Sequence, residues 1–262
     1  MERAKDIDDV EDVDWGRVSE DYAKFRDIYP DAFYEKIIEL GLCVEGQEVL
    51  DIATGTGVLP RNLYKHGAGF TGLDISENQI GQARRLTAEA GMDITYLVSP
   101  AETAPLPNDY FDVVTACQCY VYLDKDIIFS KVHSMLKDSG HFCILFMGWI
   151  TEESKIASES EKLVLKYNPS WPDSGIKRFL CDFPEQAQGL FEVEDSFCYD
   201  LSVTFTRENW HGRMKACRGI GASSLAPEAI AEFEKEHLAF LQSAPEVFEV
   251  PHFATVLNLR RV

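Results

Sequence analysis

The chain reads as an α/β fold built on a seven-stranded, mostly parallel sheet with helices on both faces and an inserted helical lid. Three observations predict it. Short apolar runs alternate with helical segments between residues 31 and 150, a glycine-bearing turn joins the first run to a helix, and an acid closes the second run. The 262 residues, 45% hydrophobic and 11% aromatic, suffice to bury a full core.

Taken in order, Asp31 to Leu42 places Phe33, Ile37, Ile38 and Leu40 at helical spacing, with Gly41 where a helix stops. Glu48 to Ile52 reads as a buried strand, Leu59 to His66 as a helix, and Gly69 to Leu73 as a strand. Ser76 to Ala90 is a helix opened by the capping box Ser76-x-x-Gln79. Strands follow at Ile94 to Val98, Phe111 to Ala116 and His141 to Met147, the last two separated by the helix Lys125 to Leu136. Such alternation requires crossover connections, hence a parallel sheet covered on both faces. After Gly148 the rhythm breaks: Thr151 to Tyr167 is a polar helix, and Asn168 to Pro172 is rich in turn residues. Phe191 to Phe205 then reads as a long strand, Pro227 to Leu241 as a helix and Val250 to Leu259 as a closing strand. The division expected is a closing N-terminal segment over residues 1–45, an α/β core over 46–150, and an inserted helical lobe with the last two strands over 151–262.

Charge excludes several functions. Asp and Glu number 44 against 25 Lys and Arg, a formal charge of −19 that repels nucleic acid and anionic membranes. Seven cysteines without a CxxC pair suit reduced thiols and a cytoplasmic setting. The first fifteen residues are acidic, unlike a signal peptide, with a solvated arm expected from Asp6 to Asp14. The most apolar run, Phe142 to Ile150, is far short of the ~20 residues of a membrane helix.

The sharpest feature is Val49-Leu50-Asp51-Ile52-Ala53-Thr54-Gly55-Thr56-Gly57, an apolar strand running through small residues into a helix. A turn of this kind lets a ligand approach main-chain atoms closely. Nineteen residues past Gly55 the next strand ends on Asp74, placed to accept from ribose hydroxyls. A dinucleotide fingerprint would carry a third glycine where Pro60 stands, and Asp51 puts a carboxylate before the loop, suited to an ammonium rather than a phosphate. A ligand with a ribose diol at one end and an amino acid at the other satisfies both acids. S-adenosylmethionine is such a ligand.

These residues resemble the class I S-adenosylmethionine-dependent methyltransferases, which have a Rossmann-like core, and in particular the ubiquinone/menaquinone methyltransferase branch. VLDIATGTG is similar to the family's first motif, GLDIS to its second-strand motif, AETAPLPNDYFDVV to its AExLPFxDxSFDxV segment, and LKDSGHFCIL to its LRPGGxLxI element. The likeness covers roughly residues 20 to 150. A looser one, through CQCYVYLD, YNPSWP and FTRENWHGRMKACRGIGAS, is to bacterial proteins likened to trans-aconitate methyltransferases. The resemblance implies that Asp51 and the Ala53 carbonyl hold the methionine ammonium and that Gly55, Thr56 and Gly57 line the sulfonium side. It implies Asp74 for the ribose, Ile75 beside the adenine, Ala101 and Glu102 along the ring, and Cys117 near the methionine portion. Gln79 joins the cofactor-binding set, and Tyr22-Ala23-x-x-Arg26 is similar to the YAxxR element that closes over the cofactor. The chain departs from the family at Pro100, where an acid is usual, and at Ala53, where a longer pattern has glycine.

No HExxH, CxxxCxxC or GxSxG motif is present, so neither a metal, radical use of the cofactor nor a hydrolase nucleophile is expected. Cys117 and Cys119, two apart at a strand end, are expected to share a face as buried thiols. Methyl transfer asks mainly for alignment in a dry pocket, so no catalytic side chain is assigned. The acceptor should meet the methyl near Gln118, Tyr120, Tyr122 and Trp149, with Trp171 and Trp210 as apolar walls. Between Thr206 and Gly221, four cations (Arg207, Arg213, Lys215, Arg218) face one acid, Glu208. Arg213 and Arg218 either clamp a substrate carboxylate or pair with the abundant surface acids, and Gly212, Gly219 and Gly221 would permit a mobile lid. The function expected is in-line methyl transfer to a small organic acceptor, a carboxylate or a hydroxyl, leaving S-adenosylhomocysteine, with neither nucleic acid nor membrane as partner. The alternatives are a non-catalytic module binding S-adenosylmethionine or S-adenosylhomocysteine, and an RNA or protein methyltransferase, which would need a broader basic face.

Overall fold

The computed structural model describes residues 13–262, so the expected acidic arm lies outside the described residues except for positions 13–14. Helices α1 (Ser19–Phe25) and α2 (Asp31–Glu39) precede β1 (Glu48–Ile52), α3 (Val58–Leu63), β2 (Gly69–Asp74), α4 (Glu77–Glu89) and β3 (Thr95–Val98). Then come β4 (Phe111–Cys117), α5 (Lys125–Met135), β5 (Leu136–Trp149), α6 (Lys155–Tyr167), β6 (Phe191–Thr206), α7 (Arg207–Lys215), α8 (Pro227–Leu241) and β7 (Val247–Arg261). The seven strands form one sheet in the order β3-β2-β1-β4-β5-β7-β6. Neighbours from β3 to β5 are parallel, and β7 runs antiparallel to both β5 and β6. From β1 the chain winds outward to β2 and β3, then returns to β4 on the other side. The crevice beyond the carboxyl ends of β1 and β4 is therefore a topological switch point, where ligands of open α/β sheets bind.

Strand alternation divides the core. Val49, Val113, Cys143, Leu145 and Val256 face the layer holding α2, α3 and the lobe of α6, α7 and α8. Leu50, Ile52, Val114, Ala116, Phe142 and Ile144 face α5. Asp51 and Thr115 therefore point, with Val49 and Val113, toward the lobe side.

The expected elements form, with four corrections. Strand β5 starts at Leu136, because Phe111 pairs with Leu136 but Val113 with His141, leaving residues 137–140 as a bulge with Ser139 at φ +60°. The Ser76 hydroxyl caps the Gln79 N–H of α4, but the Gln79 amide turns away to donate to the Trp15 carbonyl at 2.8 Å, so the capping box is half made. Cys117 and Cys119 lie against opposite layers, because Gln118 at φ +65° reverses the chain between them. The glycines of the lobe are packing positions rather than hinges. A Cβ on Gly212 would stand 2.3 Å from the Phe25 ring, and one on Gly219 would stand 2.5 Å from Val164. All seven cysteines are free thiols, and among the described residues no helix is long and apolar enough to cross a membrane.

Behind the lobe, three helices share a buried polar chain. His211 Nδ1 lies 2.9 Å from His237 Nδ1, and His237 Nε2 lies 2.9 Å from the Ser160 hydroxyl, which also accepts from Trp210 Nε1 at 2.9 Å. Burial, and then the neighbouring His211, holds His237 down to about 3; burial holds His252 at about 4. Both titrate lower than in the unfolded chain, so their neutral forms stabilise the fold above pH ~6.5, and that contribution fades as pH falls toward the folded values. From pH 6.5 to 5 each histidine should cost about 2 kcal/mol. Urea unfolding at the two pH values should show the loss, and His237→Phe should remove its share.

Candidate active site

The turn after β1 is built from left-handed backbone. Ala53, Gly55 and Gly57 have φ of +50°, +57° and +73°. Alanine takes at residue 53 a conformation that glycine adopts without strain, which accounts for the longer family pattern. At Gly57 a side chain is excluded outright, since a Cβ would stand 2.3 Å from Tyr96 Oη. Asp74 fastens this turn to β2: its Oδ2 accepts from Gly55 N and its Oδ1 from Ser76 N, both at 2.9 Å. Burial raises the Asp74 carboxyl above its ordinary value against the pull of these N–H donors. Next to it Ile75 is 72% exposed, an apolar side chain bare to solvent at the strand tip.

Asp51 is 2% exposed and accepts from the Thr115 hydroxyl at 2.6 Å. Among the described residues it has no ion-pair partner. Burial pushes its carboxyl up to about 6, partly offset by the Thr115 hydroxyl. A buried carboxylate without a cation calls for one, and an ammonium supplies it. Asp51, the glycine turn, Asp74 and the bare Ile75 thus fit an amino-acid-bearing nucleoside such as S-adenosylmethionine.

A strap covers the turn. The short 3-10 segment Trp15–Val18 and α1 lie across it, with Tyr22 Cε1 3.7 Å from where a Gly55 Cβ would be. The Arg26 guanidinium stacks over Tyr22 at 4.8 Å and Trp15 at 5.8 Å, and Gln79 anchors the Trp15 carbonyl. Beneath the strap a cavity of about 30 Å³ is lined by Tyr22, Arg26, Tyr29, Asp51, Ala53 and Cys117, among others. That volume suits a water rather than a nucleoside. Cys117 Sγ lies 3.6 Å from Tyr29 Oη, and burial pushes the thiol up to about 12, leaving it neutral at pH 7.

The other sequence-predicted residues divide. Ala101 packs in the core, and Glu102 accepts from Asp124 N at 3.0 Å, bracing the loop after β4. Thr56 is buried, its hydroxyl without a partner. Gln118 is tied through Nε2 to the Met147 carbonyl, and Tyr120 packs edge-on to Phe129 in the α5 layer, away from the lobe. Tyr122 turns to the strap, 6.5 Å from Trp15, with Arg218 over its ring at 5.5 Å. Trp149, Trp171 and Trp210 cluster at 5.7 to 6.4 Å and donate to Glu161, Asp173 and Ser160 respectively. Trp210 is fully buried and acts as the rear wall of Trp149. The cations separate as well. Lys215 bridges Asp21 and Glu234, Arg207 reaches Glu246 and the Ala244 carbonyl, and Arg218 pairs with Asp173. Arg213, 7% exposed, has no salt bridge among the described residues and stacks on Trp149 at 4.9 Å.

Sequence reasoning missed Trp15, Tyr29, Glu161 and Asp173. Glu161 is 4% exposed and collects Trp149 Nε1, the Thr151 and Ser174 hydroxyls and Gly175 N, which fixes the indole. Isolated aromatics and acids in this acidic chain carry no periodic signal; only the structure brings them together.

Residues 49–140 match the family model described as a methyltransferase domain. Among curated proteins the chain is similar to the ubiquinone biosynthesis O-methyltransferase of Vibrio campbellii, 32% identical over 107 residues, covering 40% of this chain and 46% of that protein. It is also similar to the ubiquinone/menaquinone biosynthesis C-methyltransferase of Paraburkholderia xenovorans, 37% identical over 105 residues, covering 38% and 43%. The matches thus span less than half the length of these relatives. A solved structure assigned as a type II methyltransferase from Anaeromyxobacter dehalogenans shares the fold, with a TM-score of 0.59 at 18% identity over 89% of this chain and 96% of that one.

Two outcomes follow from the geometry. Gly57→Ala should cost about 2–3 kcal/mol through left-handed strain and the Tyr96 collision, read as a lowered urea midpoint. Ligand affinity should track Asp51. Its carboxyl is ionised above pH ~6, so calorimetric affinity for S-adenosylhomocysteine should fall up to about tenfold per pH unit below that, and Asp51→Asn should flatten the profile.

Proposed function

We propose that this chain, whose core is that of the class I S-adenosylmethionine-dependent methyltransferases, transfers a methyl group by in-line displacement to a small organic acceptor seated between the strap and the lobe. The observation that carries the reading is the pair of acids at adjacent strand tips, a buried Asp51 lacking a cation and an Asp74 fastened across the glycine turn. Asp51 would hold the ammonium, Asp74 the ribose hydroxyls, and Ile75 the adenine face. When bound, the cofactor supplies a methyl already activated by the sulfonium.

The chain's own residues then have two tasks. Tyr22 and Arg26 close over the site and exclude water, so that nucleophile and methyl meet in a dry space. The lobe's aromatics orient the acceptor. Cys117 and Tyr29 keep their protons, since burial raises both well above neutral pH, and so line the site rather than deprotonate the acceptor. The relatives named above act in quinone biosynthesis. The family match ends at residue 140, before the lobe that would choose the acceptor, so the substrate class is better sought in the lobe itself. The charge of −19 and the pairing of three of the four cations between Thr206 and Gly221 favour a small-molecule acceptor in the cytoplasm over RNA.

Calorimetric titration with S-adenosylhomocysteine tests the reading. Binding is expected in the parent, with a loss of tenfold or more in Asp74→Ala, because the substitution removes the ribose acceptor and frees the Gly55 and Ser76 N–H groups. Absence of binding in the parent would refute it. Release of S-adenosylhomocysteine in the presence of an acceptor then separates an enzyme from a module that only binds.

A further inference from the structure

Of the four cations between Thr206 and Gly221, Arg213 alone has no ion pair among the described residues. It sits on α7, at 7% exposure, with Nε and Nη1 buried and without hydrogen-bond partners. Its guanidinium carbon lies 4.9 Å from the centre of the Trp149 ring, and that indole is held by its bond to Glu161 at 2.7 Å. The charged group that most affects it is another cation, Arg26, while Tyr22, Tyr29 and the Cys217 thiol stand nearby. The acid in its surroundings, Asp173, is engaged by Arg218 and the Trp171 indole. Two guanidinium groups thus lie close together among Trp149, Tyr22 and Tyr29, and among the described residues no carboxylate forms an ion pair with Arg213. Leaving such a group buried is costly, and an anion that accepts from it removes the cost.

We propose that Arg213 is the seat of an acceptor carboxylate: the small molecule methylated here carries a carboxylate that takes the Nε and Nη1 donors of Arg213, its body lying against Trp149. This inference rests on the methyltransferase reading above. The anion is the acceptor's rather than the cofactor's, because Arg26, Asp51 and Ala53 line the cavity over the glycine turn, whereas Arg213 is not part of that lining and sits over Trp149. A planar guanidinium meeting a planar carboxylate also fixes orientation, as in-line transfer requires.

The full chain, first saturated with S-adenosylhomocysteine, is titrated by calorimetry with benzoate and with benzamide, its uncharged counterpart of the same shape. The parent should bind benzoate at least tenfold more tightly than benzamide. Arg213→Gln should abolish that preference while leaving S-adenosylhomocysteine affinity within threefold of the parent. Equal binding of the two probes by the parent, or no benzoate binding, overturns the proposal whether or not the variant folds. A benzoate preference that survives Arg213→Gln overturns it too, as does a tenfold loss of S-adenosylhomocysteine affinity in a variant with parental circular dichroism, which would give Arg213 to the cofactor. Failure of the parent to bind S-adenosylhomocysteine at all would instead remove the underlying methyltransferase reading.

Discussion

One carboxylate holds the nucleoside end of this molecule together. Asp74, at the tip of β2, accepts from Gly55 on one side and Ser76 on the other, so the turn after β1 and the start of α4 are fixed to the same group. Without that tie the left-handed residues 53, 55 and 57 would lose their support, and Asp51 would lose its fixed outlook on the crevice. The arrangement concentrates negative charge where burial disfavours it, and both acids sit above their ordinary carboxyl values. Sites that store unpaired charge in this way are built for a ligand of opposite sign.

The lobe shows the reverse polarity. Its surface cations are consumed by acids, yet Arg213 is carried inward and stacked on an indole that Glu161 immobilises. Asp51 on the sheet side and Arg213 on the lobe side, neither with an ion pair among the described residues, thus carry opposite charges near the shared Tyr22, Arg26 and Tyr29, and the proposed donor and acceptor positions rest on that polarity.

The sheet was legible because its strands follow the simplest physical rule. Val49 to Ile52, Val113 to Ala116 and Phe142 to Leu145 are buried on both faces and read as apolar runs, interrupted only by Asp51 and Thr115. The glycine turn and Asp74 were legible for a different reason, since backbone approach and ribose binding restrict residue type at fixed spacing. Helix α7 was not legible: its buried positions are Trp210, Gly212, Arg213 and Met214, a pattern in which glycine and arginine replace the aliphatic residues that periodicity seeks. Helix α1 has seven residues and buries only Ser19 and Phe25, too little for a helical stripe to show. The lobe's glycines suggested motion in sequence, but their missing side chains are filled by Phe25, Val164 and Trp171. Composition cannot distinguish a glycine that bends from one that lets two surfaces touch.

The strap's attachments join two parts of the molecule. It is anchored to the nucleoside side through Gln79 and Trp15, and to the lobe through Phe25 seated on Gly212. The strap therefore touches both regions, and neither the turn after β1 nor the wall made by α7 can shift far without disturbing it.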